Sequence, residues 1–174
     1  MEGLGLIHLY TGCGKGKTTA AVGLAVRLLG RGGRVVFLQF LKGENSGERF
    51  ILRELPGVEL IRLPEKVKFT ARMNDAERAE CAEVCREQFE MACALAADRD
   101  LLVLDEALGA IETGMLPLSA VLGFLKNKPE QLEVVLTGRR APRELKEAAD
   151  YVMRVDSEKH PYTSGISARR GIEF

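Results

Sequence analysis

The nine residues Thr11–Thr19, TGCGKGKTT, lie between an apolar run, Leu4–Tyr10, and a second apolar stretch beginning at Thr18. Gly12, Gly14 and Gly16 let backbone amides converge on phosphate oxygens, and a helix start just beyond them adds favourable dipole charge. Lys17 is placed to reach the outer phosphates of a nucleoside triphosphate, and the Thr18 hydroxyl is a magnesium-ligating group. Thr11 stands where the strict phosphate-loop pattern G-x-x-x-x-G-K-[ST] has its first glycine. Gly16, Lys17 and Thr18 are intact, and the strand–loop–helix context is right on both sides. The stretch therefore reads as a triphosphate site formed by Thr11, Gly12, Cys13, Gly14, Lys15, Gly16, Lys17, Thr18 and Thr19.

The same alternation continues outward. Residues 18–33, TTAAVGLAVRLLGRGG, predict a helix apolar around most of its girth and stopped by Gly30, Gly32 and Gly33. Residues 34–39, RVVFLQ, predict a strand whose near-continuous apolarity suits a parallel sheet covered on both faces. A polar loop over 42–47 precedes a short helix over 48–55, a turn at Pro56-Gly57 and a strand over 58–63. The stretch Lys66–Met73 is irregular and carries an exposed-looking Phe69. Asn74 with Glu77 makes a capping pair for a long helix reaching about Ala97. Leu101–Asp105 is a buried strand, followed by two shorter helices, the second starting near Pro117. A strand over 133–137, a helix over 142–149 and a strand over 151–155 complete the series. Strands and helices in alternation imply an α/β domain with a mostly parallel sheet, and no repeat or linker divides the 174 residues. One domain, residues 1–174, is expected.

Composition narrows the class. Apolar residues make up 46% and charged residues 29%, as in an ordinary globular protein. Twenty-five Lys and Arg balance 25 Asp and Glu, so no broad field for nucleic acid is expected. No run approaches the roughly 20 apolar residues that span a bilayer, and the N-terminus lacks the features of a signal peptide. The cytoplasm is the default compartment. Cys81, Cys85 and Cys93 fall on one helix and read as reduced, partly buried thiols.

A second chemical signal is Leu101–Glu106, LLVLDE. Four apolar residues ending in acids put carboxylates at the carboxyl edge of the sheet, where ligands bind in open α/β folds. With Thr18 they make a magnesium site in which either Asp105 or Glu106 contacts the ion or one of its waters. Residues 137–140, TGRR, follow another apolar strand. Arg139 and Arg140 read equally as phosphate-facing or as solvated surface charge, and the run from Lys159-His160 through Arg169-Arg170 is just as open. His8, on the first strand, reads as a satisfied core or edge histidine.

The ordered series YTGCGKGKTTAA (10–21), QFLKG (39–43), LDE (104–106), TGR (137–139), AD (149–150), KH (159–160) and GIEF (171–174) resembles the ATP:corrinoid adenosyltransferases of the CobA/BtuR/CobO type. The match runs over nearly the whole chain, and T-G-x-G-K-G-K-T-T is that family's own form of the loop. The resemblance implies a RecA-like phosphate-loop domain. It implies that the 5′-deoxyadenosyl group of ATP passes to the Co(I) centre of a reduced corrinoid with release of triphosphate, in adenosylcobalamin biosynthesis or salvage. The acceptor would be cobalamin, cobinamide or cobyrinate a,c-diamide. A phosphate-loop ATPase or kinase cleaving the γ-phosphate is the alternative, and a non-enzymatic ATP-binding or corrinoid-carrier protein a third reading.

The implied catalytic set is Lys17, Thr18 and Glu106, with Mg2+ or Mn2+ held by Thr18 and Asp105 or Glu106. Arg139 joins the loop on the nucleotide, and Phe69 covers the lower face of the corrinoid. Family members commonly read F-T-W where this chain has Phe69-Thr70-Ala71, and the chain has no tryptophan at all. The chain also begins only a few residues before its first strand, without the N-terminal extension that some members fold over the site. A homodimer, and a flavodoxin or another reductase as reducing partner, are further implications.

Overall fold

The computed structural model describes residues 4–65 and 67–173. Met1–Gly3, Lys66 at the head of the irregular stretch, and Phe174 at the end of the GIEF run lie outside the described residues. Six strands, β1 (Ile7–Thr11), β2 (Val35–Gln39), β3 (Val58–Leu60), β4 (Leu101–Asp105), β5 (Glu133–Thr137) and β6 (Tyr151–Arg154), form one sheet in the order β3-β2-β4-β5-β1-β6. Every pairing is parallel. All strands therefore present their carboxyl ends at one edge. The helices are α1 (Lys17–Leu29), α2 (Gly47–Leu52), α3 (Asp75–Leu95), α4 (Ala107–Glu112), α5 (Leu118–Asn127) and α6 (Arg143–Ala148).

The period-2 alternation of strand side chains divides the core between two faces. On one face Val35, Phe37, Leu101, Val103 and Val135 meet Ala21 and Ala25 of α1. On the other, Val36, Leu38, Leu102, Leu104, Val134 and Leu136 meet Cys85, Phe89 and Ala92 of α3 with Val121 and Leu125 of α5. Both faces of β2 and β4 are covered, so all five positions of each strand are buried. Asn74 caps α3 as its spacing predicts: Glu77 N–H donates to Asn74 Oδ1 at 2.9 Å, and Asn74 N–H to Glu77 Oε2 at 2.9 Å.

Element ends differ from expectation where the chain leaves the sheet. The strand expected over 58–63 pairs only as far as Leu60, and Leu4 is exposed ahead of β1. At the other edge β6 is exposed along its whole length. His8 is a satisfied histidine, paired with Glu133 and stacked on Tyr151 at 4.5 Å between ring centroids. One strand, β5, separates the strand leading into the glycine loop from the strand ending in Asp105. The whole is an α/β fold with a parallel sheet flanked by helices, as the alternation of elements predicts.

Candidate functional site

The glycine loop is tied down from behind. Thr11 Oγ1 donates to Met153 O at 3.0 Å, Gly12 N–H to Arg139 O at 2.9 Å, and Gly14 N–H to Val155 O at 2.8 Å. At Gly12 φ is 103° and a Cβ would stand 2.3 Å from Val155 O, so only glycine lets the loop lie this close to the residue after β6. The loop leads directly into α1, whose first N–H groups have no acceptor within the helix and face an open cavity. Lys17 is buried against the loop, with Nζ donating to Gly14 O at 2.7 Å.

Residues 13–19 form the floor of this cavity of about 970 Å³. Lys42, Glu48, Glu106, Arg139 and His160 stand around it, with Glu173 near Lys15. Lys15 Nζ donates to Glu173 Oε1 at 3.1 Å. Lys15, Lys17, Lys42 and Arg139 with the loop amides offer chemistry suited to a polyphosphate, and Glu48, Glu106 and Glu173 set carboxylates among them.

Asp105 lies beneath, with no exposed surface. Thr18 Oγ1 donates to its two carboxylate oxygens at 2.9 and 3.1 Å. Thr137 Oγ1 donates to Oδ1 at 2.6 Å, Gln39 Nε2 to Oδ2 at 3.1 Å, and Lys42 Nζ to Oδ2 at 2.7 Å. Burial alone would push this carboxyl up, but the Lys42 charge and the hydrogen bonds from Lys42, Thr137 and Gln39 outweigh it and hold the group ionised. Glu106 is the opposite case. Burial and the neighbouring Asp105 charge raise its carboxyl above the usual range, against the pull of Lys42, Lys17 and Arg139. Its backbone is left-handed, with φ 58°, which turns the chain from β4 into α4. The Glu106 N–H donates to Thr137 Oγ1 at 2.9 Å, so one hydroxyl orients both acids.

The donor set suits a hard divalent cation. Thr18 Oγ1, with its hydrogen directed at Asp105 and one lone pair accepting from Lys42 Nζ at 3.2 Å, is an oxygen ligand for an ion, and Asp105 and Glu106 add carboxylate oxygens. Among the described residues no group of three or more His, Cys, Asp or Glu side chains could hold a metal ion. Magnesium completes such a sparse protein set with phosphate and water oxygens.

The family profile described as ATP:corrinoid adenosyltransferase BtuR/CobO/CobP matches residues 3–174. The chain belongs to this family. It is 36% identical over 173 residues to "Corrinoid adenosyltransferase" of Escherichia coli K12, covering 98% of this chain and 86% of that one. It is 36% identical over 176 residues to "Corrinoid adenosyltransferase CobA" of Salmonella typhimurium LT2, covering 99% and 87%. The corrinoid adenosyltransferase of Pseudomonas aeruginosa is 36% identical over 184 residues, covering 98% and 84%.

Within this adenosyltransferase framework the structure gathers most of the sequence-predicted residues at one place. Cys13 through Thr19, Glu106 and Arg139 line the cavity. Asp105 stands directly behind Thr18. Thr11 and Gly12 do not line it: they form the base that anchors the loop to β6 and Arg139. Phe69 lies elsewhere, exposed at the head of a single 3-10 turn over Thr70–Arg72, with the Arg72 guanidinium 5.9 Å from its ring centre. Its neighbours Val67, Lys68 and Met73 border a second cavity of about 240 Å³ that Gln39, Leu41 and Lys42 also line. Lys42 therefore faces both cavities.

Sequence reasoning assigned no role to Lys42, Glu48 or Thr137 at the acid site, nor to Arg49. Arg49 is buried, donates to Gln39 Oε1 at 3.3 Å and Ile61 O at 2.9 Å, and pairs with Glu44 at 2.9 Å. It fixes the Gln39 amide that in turn holds Asp105. The signal available was position: Gln39 ends an apolar strand just as Asp105 does, and Lys42 follows three residues later. Reading it required knowing that β2 and β4 are neighbours.

Proposed function

We propose that the chain transfers the 5′-deoxyadenosyl group of ATP to the Co(I) centre of a reduced corrinoid and releases triphosphate. The observation that carries the reading is the Thr18–Asp105 pair at the mouth of the phosphate loop, in a chain of this family. The cobalt electron pair forms the bond to C5′ as the C5′–O5′ bond breaks, and O5′ departs with that bonding pair on the triphosphate. Cobalt is the nucleophile, so no side chain has to activate water or a hydroxyl. The protein's task is to bind and stabilise a large anionic leaving group. Lys17, the loop amides from Cys13 to Thr19, and Arg139 do so directly.

Thr18, with Asp105 and Glu106, would hold Mg2+ or Mn2+. The bound ion would supply further neutralisation of the phosphate oxygens. Asp105, already accepting from four side-chain donors, orients Thr18, while Glu106 faces the cavity. The corrinoid lies on the side of the 67–73 loop, where Phe69 supplies an apolar cover. Residues 1–174 act as one domain. A cytoplasmic homodimer, served by a flavodoxin or another reductase and accepting cobalamin, cobinamide or cobyrinate a,c-diamide, completes the reading.

The test is product identity. Purified chain, ATP, Mg2+ and strongly reduced corrinoid should give triphosphate and a light-sensitive alkylcobalt spectrum in equal amounts. ADP formation without corrinoid turnover would place the chain among γ-phosphate-cleaving enzymes instead.

A further inference from the structure

We propose that Lys42 is a built-in cation on the Thr18–Asp105 pair, which a divalent ion must displace and does displace efficiently only together with the nucleotide. The proposal rests on reading Thr18 and Asp105 as the metal-holding pair. Lys42 Nζ stands 2.7 Å from Asp105 Oδ2, 3.2 Å from Thr18 Oγ1 and 3.8 Å from Glu48 Oε1. The Thr18 hydrogen is directed at Asp105, so the ammonium occupies a lone-pair side of Thr18 Oγ1, the side a cation would take. One pair of oxygens cannot hold an ammonium and a divalent ion at the same points.

The placement is built into the chain. Leu41, immediately before Lys42, has φ 55°, a left-handed backbone that is uncommon for leucine and turns the chain sharply at the end of β2. Asp105 is wholly buried, and an uncompensated buried carboxylate is costly, so the Lys42 charge satisfies the acid. A free metal ion that displaces Lys42 takes over this role but leaves the ammonium beside it, with the Glu48 carboxylate at 3.8 Å and Glu106, itself facing the metal, as its anionic neighbours. A metal ion arriving with a triphosphate brings anionic oxygens into the same cavity, and Lys42 lines that cavity. The displaced ammonium then has phosphate to bind. Metal and nucleotide are thereby coupled through one side chain, and Lys42 acts as a positioning residue.

The experiment measures Mn2+ binding to the full chain by the electron paramagnetic resonance of free Mn2+, each titration referenced to a protein-free one that accounts for Mn2+ held by ATP, with no corrinoid present. Wild type, Lys42→Met and Lys42→Arg are compared with Mn2+ alone and with Mn2+ plus ATP. Lys42→Gln, which keeps a donor for Asp105, serves if the methionine variant melts early. Removing the charge should tighten binding of Mn2+ alone by a factor within the roughly 5–150-fold span of coupled sites, and the arginine variant should behave like wild type. The gap should narrow once ATP is added. Equal affinity of all variants for Mn2+ alone, with nucleotide-dependent binding intact, overturns the role of Lys42 and leaves the metal site standing. Mn2+ that binds none of them even with ATP overturns the metal-holding pair itself.

Discussion

Thr18 and Asp105, 87 residues apart in the chain, share a hydrogen bond of 2.9 Å between the first turn of α1 and the last residue of β4. This single contact joins the phosphate loop to the acidic strand end, and the chemistry of the site depends on its alignment.

Replacing Lys17 with alanine removes the cation folded over the loop. Loss of one preorganised donor to developing negative charge typically costs about 100- to 1000-fold in rate. Steady-state assays of triphosphate release should show a fall in kcat/KM of that order with the thermal midpoint little changed. Undiminished turnover would remove the loop from the mechanism.

Thr137→Val keeps the shape of the side chain but deletes the donor to Asp105 Oδ1 and the acceptor for Glu106 N–H. Both partners are in the interior half of the site, so the variant should lose about 1–3 kcal/mol of stability. Turnover should fall as well, because both acids lose their common anchor. Urea unfolding alongside initial rates separates the two effects.

Glu44 gives a pH-dependent signature. Burial raises its carboxyl, yet the hydrogen bonds from Arg49 and the Leu63 amide, with the charges of Arg49 and Arg53, hold it below the usual carboxylate range. The folded pKa lies below the unfolded one, so the stabilisation is present above the ordinary carboxylate range. It is lost as pH falls through the folded value. Glu44→Gln leaves the buried Arg49 without its carboxylate and should cost about 1–3 kcal/mol at pH 7. Urea midpoints of the two proteins should converge in strongly acidic buffer. A gap that persists there would mean the loss is packing and not charge.

Cys13 is exposed in the phosphate loop, whereas burial pushes the Cys85 and Cys93 thiols up to about 12. A limiting amount of iodoacetamide at pH 8 should therefore mark Cys13 ahead of Cys85 and Cys93. Magnesium and ATP should slow that labelling, as peptide mapping would reveal. Labelling of Cys13 indifferent to ATP would argue against nucleotide in the loop.

Phe69→Ala should raise the KM for the corrinoid severalfold and leave the KM for ATP near the wild-type value. Phe69 is 78% exposed and buries little in this chain, so the variant should melt at the wild-type temperature. Equal damage to both KM values would assign Phe69 to the fold.

The alternation of elements and the phosphate loop were legible because each rests on local rules: apolar runs for covered strands, an Asn74–Glu77 cap for α3, glycines where the chain bends sharply. Asp105 was legible as the end of an apolar strand. What was not legible depends on strand neighbours. Gln39, Lys42 and Thr137 converge on Asp105 only because β2 and β5 flank β4. Arg49 reads locally as one more charge on a short helix, and only its burial between Glu44, Gln39 and Ile61 reveals its part. The arginine pair, exposed at both positions, divides by direction: Arg139 lines the cavity, while Arg140 meets Glu112 at 3.2 Å.

The loop's three rearward anchors, Arg139 O, Met153 O and Val155 O, all lie more than 110 residues downstream of it, as do both strands that flank β1. During translation TGCGKGKTT leaves the ribosome well before the residues that anchor it, and it acquires its working shape only once they have followed. A nascent chain halted before residue 139 would carry the whole motif and still have no nucleotide pocket. ATP can thus stabilise only a chain that already carries residues 139–155, and products truncated before them should gain no protection from it against proteases.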